Sequence, residues 1–243
     1  PNADGPRAGR APVAPRGRWG RKIFTFDRLG SSCPGLGRSA LGGLDRMLNE
    51  PGIVHELELR YRGGRLPKWL DALPAGPLHA IYLHWSGGDY RTLSDHYHIC
   101  VALDDADAVA IHLTHDLQAN LRDVRPPATE SYAAHTFGRN SFAAGLAVMG
   151  MRGATPSDFG AYPLRVEMLD ALCAVVRRLC ERYELPADAT HVMTHAEAAL
   201  ADGYFGCADD ERWDIARLAP SPRPLTARDA REAGDQLRAW IRR

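Results

Sequence analysis

Leu78-His79-Ala80-Ile81-Tyr82-Leu83-His84-Trp85-Ser86-Gly87-Gly88 reads as a buried β-strand that stops at a glycine turn, with His84 at its C-terminal end. Downstream, His96 to Leu103 and Ala108 to Leu113 read as two further strands, joined as a hairpin by the acidic turn Asp104-Asp105-Ala106-Asp107. Ala143 to Met151 reads as a fourth, and its glycines and small side chains suit a strand against which something packs closely. Pro163 opens the clearest helix. In it Met168, Leu169, Leu172, Val175, Val176, Leu179 and Tyr183 recur with helical spacing, while Arg177, Arg178, Glu181 and Arg182 are expected to face water. His191 to Thr194 reads as a short strand leading into a small helix over His195 to Ala201. A last amphipathic helix starts at the Thr226-x-x-Asp229 cap and carries Leu237, Trp240 and Ile241. Alternating strands and helices, with a hairpin among the strands, predict an α/β fold built on a mixed sheet flanked by helices.

Upstream the text changes character. Residues 1–20 (PNADGPRAGRAPVAPRGRWG) lack apolar periodicity and are expected to form a flexible tail or linker, because they bury too little to offset their ordering entropy. Residues 21–76 form an N-terminal appendage whose role is not legible; within it Val54 to Tyr61 alternates as a half-exposed strand does. The regular domain spans residues 77–243.

The chain has 243 residues, 45% hydrophobic and 25% charged, enough to bury a substantial core. Lys+Arg and Asp+Glu are both 30, so no whole-chain field favours nucleic acid, and nucleic acid is not an expected partner. No apolar run approaches the roughly 20 residues that cross a bilayer, so no transmembrane segment is expected. No leader-like segment is visible in a chain that opens at Pro1, and the compartment stays open. Five cysteines, Cys33, Cys100, Cys173, Cys180 and Cys207, are an odd number without metal-pair spacing, and they read as thiols and not as a disulfide framework.

Ten histidines make position the discriminator. Catalytic zinc takes three protein ligands of the His, Asp, Glu or Cys type and one open position, and His84 and His195 each sit where a strand ends. Spacing alone names no third ligand.

Five runs, in order, carry a resemblance. Ile81-Tyr82-Leu83-His84-Trp85-Ser86-Gly87-Gly88 resembles the first metal motif of zinc-dependent N-acetylmuramoyl-L-alanine amidases (amidase type 2) and the related peptidoglycan recognition proteins. Leu93-Ser94-Asp95-His96-Tyr97-His98-Ile99 looks like that family's next strand. Ala134-His135, Asn140-Ser141 and Gly145-Leu146-Ala147-Val148-Met149-Gly150 are similar to its His-turn, Asn-Ser pair and central strand. Val192-Met193-Thr194-His195-Ala196-Glu197 looks like the second metal histidine, and Arg212-Trp213-Asp214 resembles the element that supplies the third ligand. The likeness covers roughly residues 77–218.

The resemblance implies a partly parallel sheet with an open groove for glycan and stem peptide. It implies one zinc ion held by His84, His195 and Asp214, and hydrolysis of the amide between N-acetylmuramic acid and L-alanine by a metal-activated water. Tyr97 matches a tyrosine that assists catalysis in one branch, and Arg212 falls where a lysine would face the developing negative charge. Trp85 and Tyr204 are candidates to stack on substrate, His135 and Asn140 to touch it, and Glu197 to orient a ligand or to cap its helix. His96, His98 and His135 are extra histidines near the presumed groove, for each of which a structural reading comes slightly ahead of proton transfer, with His135 the best candidate of the three. Three departures stand out. Ala147 occupies the position of a catalytic glutamate found in another branch. The stretch from His195 to Asp214 is long, so Cys207 or Asp209 could replace Asp214. The third is the surplus of histidines itself. The implied partner is peptidoglycan or a muropeptide, with a periplasmic, secreted or envelope-delivered setting favoured over the cytoplasm. A binding module that recognises peptidoglycan without cutting it, and a zinc amidase acting on another amide, are the alternatives.

Overall fold

The structure is a computed structural model and describes residues 65–125, 131–206 and 212–243. The expected tail, the strand expected over Val54 to Tyr61, Cys33, Cys207 and Asp209 lie outside the described residues. Five strands form one sheet in the order β3-β2-β4-β1-β5: β1 (Ala80–Trp85), β2 (Ile99–Leu103), β3 (Val109–Leu113), β4 (Ala143–Val148) and β5 (Val192–Thr194). β1 runs parallel to both β4 and β5, β2 runs parallel to β4, and only the β2–β3 hairpin is antiparallel. The sheet is thus mixed and mostly parallel.

Among the described residues three α-helices flank it: α1 (Val166–Arg182), α2 (His195–Asp202) and α3 (Ala227–Ile241). Ile81, Leu83, Leu146, Val148, Val101 and the apolar stripe of α1 are all buried in one core, which Leu237, Trp240 and Ile241 of α3 join. Leu70 and Leu73, N-terminal to the expected boundary at residue 77, are buried in the same core. α3 starts at the expected cap: Thr226 and Asp229 each accept from the other's backbone N–H. The three arginines expected in water do more, Arg182 among them through a 2.8 Å bond to the Asp71 carbonyl. Arg177 donates from Nε to the Ile241 carbonyl at 2.8 Å, satisfying the open C-terminus of α3, and Arg178 pairs with Asp71 at 2.7 Å. Cys100, Cys173 and Cys180 are buried free thiols.

What positions the site is register. In the β1–β5 pair, Leu83 lies opposite Thr194, so the next residues in each strand direction are His84 and His195. Two neighbouring parallel strands therefore deliver one histidine each at their carboxyl ends, the edge at which open α/β sheets place ligands. On the face away from the α1 core, alternation also brings up Tyr82 from β1 and Gly145 and Ala147 from β4, since register partners of parallel strands share a face.

Candidate metal centre

His84 is fully buried, and its Nδ1 lies 3.4 Å from Asp214 Oδ2. His195 Nδ1 lies 3.1 Å from the same oxygen, and the two rings meet edge to face at 4.7 Å between centroids. One ligand atom from each of His84, His195 and Asp214 falls within 4.8 Å of the others, so the three could hold a metal ion.

Asp214 reaches this position through its backbone. Its carbonyl accepts from Ala196 N at 3.1 Å, in the first turn of α2, where helix N–H groups lack internal partners. Ile215, which follows, is fully buried and holds a left-handed φ of 56°. Arg217 then anchors the segment with two bonds to Asp229, each 3.0 Å, and one to the Pro224 carbonyl at 2.7 Å.

Burial, opposed by the Asp214 hydrogen bond, pushes His84 down to about 4, so its ring is neutral at neutral pH. Burial also acts to raise Asp214, but hydrogen bonds from His195 and His84 outweigh it and hold the carboxyl well below the usual carboxylate range. A neutral imidazole and an ionised carboxylate are the forms in which these groups ligate a metal. The far ring nitrogens are engaged as well: His84 Nε2 sits 3.3 Å from Thr136 Oγ1, and His195 Nε2 sits 3.5 Å from the Tyr204 hydroxyl. The donor set and its outer hydrogen bonds fit zinc.

The other sequence-predicted residues divide into two groups. Tyr97 lies against His84, ring centroids 5.0 Å apart, and its hydroxyl donates to the Trp85 carbonyl at 3.3 Å. Arg212 is exposed, and its charge is felt at His84, Tyr97 and Tyr204. Tyr204 packs edge to face on Phe137, which is 67% exposed beside the site.

The remaining candidates have structural roles here. Trp85 is buried between Trp213 and Phe159, which leaves its ring no open face for substrate. His135 is buried behind His84, not in a groove, because Gly145 lacks the side chain that would occupy its place. Asn140 Oδ1 accepts from His135 N at 3.1 Å and Thr136 N at 2.9 Å, holding that turn closed. Glu197 makes the α2 capping box with Thr194 and two 2.8 Å bonds with Arg238, and its carboxylate is engaged by these contacts. His98 is buried with Nδ1 accepting from Gly145 N at 3.0 Å, whereas His96 is exposed. Sequence reasoning missed Thr136 and Asn120. Asn120 is fully buried and bridges Ala133 and Asn140, and neither residue stands out by spacing.

Comparison with known families gives one match: the model of the N-acetylmuramoyl-L-alanine amidase family (Amidase_2) matches residues 74–212. No individual curated protein matches. The matched span includes His84 and His195 and stops at Arg212, short of Asp214, whose place beside the two histidines is a matter of geometry. Among the described residues no helix is long and apolar enough to cross a membrane. With more than half of its length matched, the chain belongs to the N-acetylmuramoyl-L-alanine amidase family, whose general activity is that of a peptidoglycan amidase.

Proposed function

We propose that the protein hydrolyses the amide bond between N-acetylmuramic acid and L-alanine in bacterial peptidoglycan, using one zinc ion held by His84, His195 and Asp214. The observation that carries this reading is the convergence of two imidazole Nδ1 atoms on one carboxylate oxygen, at the carboxyl ends of neighbouring parallel strands. Zinc, when bound, supplies Lewis acidity toward the amide carbonyl and a water acidified toward neutrality.

The protein's own groups supply the rest. Burial, followed by the nearby Asp214 carboxylate, pushes the Tyr97 hydroxyl far up, so it stays protonated. It is therefore a donor and not a base, and by turning its proton from the Trp85 carbonyl it would bond developing negative charge. Arg212, a fixed cation, faces the same charge from the exposed side. Ala147, in register with His84, brings a methyl where another branch of the family has a glutamate, so no proton acceptor comes from that point of β4. The exposed Phe137, packed on Tyr204 beside the three candidate ligands, offers an apolar surface on which the glycan or stem peptide would rest.

The test is cleavage of purified muropeptides by the protein as isolated, after chelation, and after zinc is restored, with His84→Ala and Asp214→Ala beside it. Activity that vanishes with the chelator, returns with zinc and is absent in both variants is the expected result. Zinc uptake without cleavage would mean recognition without hydrolysis or a different amide, and no zinc uptake would refute the reading.

A further inference from the structure

We infer that Thr136 is a positioning residue for the metal centre: its hydroxyl, braced by His135, fixes His84 in the tautomer that presents Nδ1 to a metal. The inference rests on the zinc reading above.

Thr136 is 1% exposed and His135 6%. Thr136 Oγ1 lies 3.3 Å from His84 Nε2 and 2.9 Å from His135 Nδ1, so the three groups form one buried chain. A neutral imidazole carries a single N–H, and a hydroxyl has one proton to give. When His84 Nδ1 offers its lone pair to a metal, the N–H of that ring is at Nε2, and its partner is Thr136 Oγ1. Having accepted that bond, Thr136 turns its own proton to His135 Nδ1, which makes His135 the Nε2–H tautomer. His84 and Thr136 then each donate once, the Nε2–H of His135 is left buried without a hydrogen-bond partner, and the direction of the chain follows from the metal-binding form of His84.

Without the hydroxyl the ligating form loses its partner. The Nε2–H form of His84 would bury a donor with no acceptor, whereas the Nδ1–H form keeps its partner, Asp214 Oδ2, and cannot bind a metal through that atom. Thr136 thus supplies the acceptor that the ligating form of His84 needs at Nε2. Its backbone is fixed for this task, since Thr136 N donates to Asn140 Oδ1 at 2.9 Å. Gly145 leaves the space that lets His135 stand behind it: a Cβ there would come within 2.3 Å of His135 Cγ.

The test is zinc affinity, measured by competition with a chromogenic chelator, for the wild type, Thr136→Val and Thr136→Ser. Valine keeps the shape and removes the hydroxyl, and about 10- to 100-fold weaker binding is expected, as for other outer partners of metal-bound histidines. Serine restores the hydroxyl and should restore affinity. Long-range 1H–15N spectra of the zinc-loaded wild type should show His135 as the Nε2–H tautomer, a readout independent of whether the valine variant folds. Equal affinity of the wild type and a folded Thr136→Val, a serine variant as weak as valine, or His135 in the Nδ1–H form would each overturn the inference while leaving the zinc reading intact. A wild type that takes up no zinc would overturn both.

Discussion

Gly145→Ala is the sharpest perturbation of the shelf behind the metal centre. The added Cβ would lie 2.3 Å from His135 Cγ and 2.6 Å from its Cβ and Cδ2, where ordinary contact begins near 3.4 Å, so something must yield by about 1 Å. The strand is poorly placed to yield, because Gly145 N donates to His98 Nδ1 at 3.0 Å and Gly145 O accepts from His98 N at 2.8 Å. The His135 ring moves instead, and a shift of about 1 Å takes its 2.9 Å bond to Thr136 beyond hydrogen-bonding range. Overpacking of this kind costs about 1–3 kcal/mol and the lost bond about 1 kcal/mol, giving a destabilisation of about 2–4 kcal/mol. Urea unfolding of the metal-free protein should show it as a lower midpoint with an unchanged slope. In the His135→Ala background the same substitution should cost less, with a coupling of at least about 1 kcal/mol, because the ring it meets is gone. A loss of less than about 0.5 kcal/mol, or costs that simply add, would show that His135 does not occupy the space Gly145 leaves.

Tyr97→Phe is expected to lower kcat on muropeptides by about 100- to 1,000-fold with zinc affinity unchanged, as loss of an oxyanion donor does; a wild-type kcat would remove Tyr97 from catalysis. Glu197→Ala leaves Arg238, whose side chain is 4% exposed, buried without its main partner, and should cost about 3–5 kcal/mol in thermal or urea unfolding. Its zinc affinity should fall by less than about tenfold, and a larger fall would return Glu197 to the role of ligand orienter. Burial pushes His84 and His98 each down to about 4 from 6.5, so below the ordinary value the unfolded chain takes up protons that the folded protein refuses. Metal-free protein should therefore be most stable above about pH 6.5 and lose on the order of 2 kcal/mol per histidine by about pH 5, and a melting temperature flat from pH 7 to pH 5 would contradict this.

The elements of the sheet and helices were legible because each has a strong local signal. β1 is an apolar run closed by glycines, α1 has an unbroken helical stripe, and α3 announces itself with Thr226 and Asp229. The places of His84 and His195 at the ends of such elements were legible for the same reason, but it is the resemblance to the amidase family that singles them out as candidate metal ligands. What the sequence left open turns on contacts made far along the chain. Trp85 alternates like a strand residue whose ring could face either way, and only the approach of Trp213 and Phe159 decides that it is buried. Glu197 reads equally as helix cap and as neighbour of a ligand until Arg238, on another helix, takes its carboxylate. Thr136 carries no signal at all, because a threonine after a histidine acquires meaning only once β1 brings His84 to within 3.3 Å of its hydroxyl.

The placement of Asp214 shows how a candidate ligand outside the sheet is made as definite as one within it. Register fixes His84 against His195, but nothing in the sheet reaches residue 214. The chain holds it by three separate means: the Ala196 N–H on its carbonyl, the Arg217–Asp229 pair behind it, and the Ile215 side chain fully buried in the core. The third has a cost. A β-branched residue at φ 56° is disfavoured by on the order of 1–3 kcal/mol, a conformation kept only where surrounding structure overdetermines it. Burial of the Ile215 side chain offsets a strain of that size, at about 1.5–3 kcal/mol for an isoleucine. The turn it enforces, closed by Ala216 N donating to the Trp213 carbonyl at 2.8 Å, directs the Asp214 carboxylate at both histidines. Local strain and core burial thus nearly cancel at Ile215, and what remains is a carboxylate whose position is set before any metal arrives.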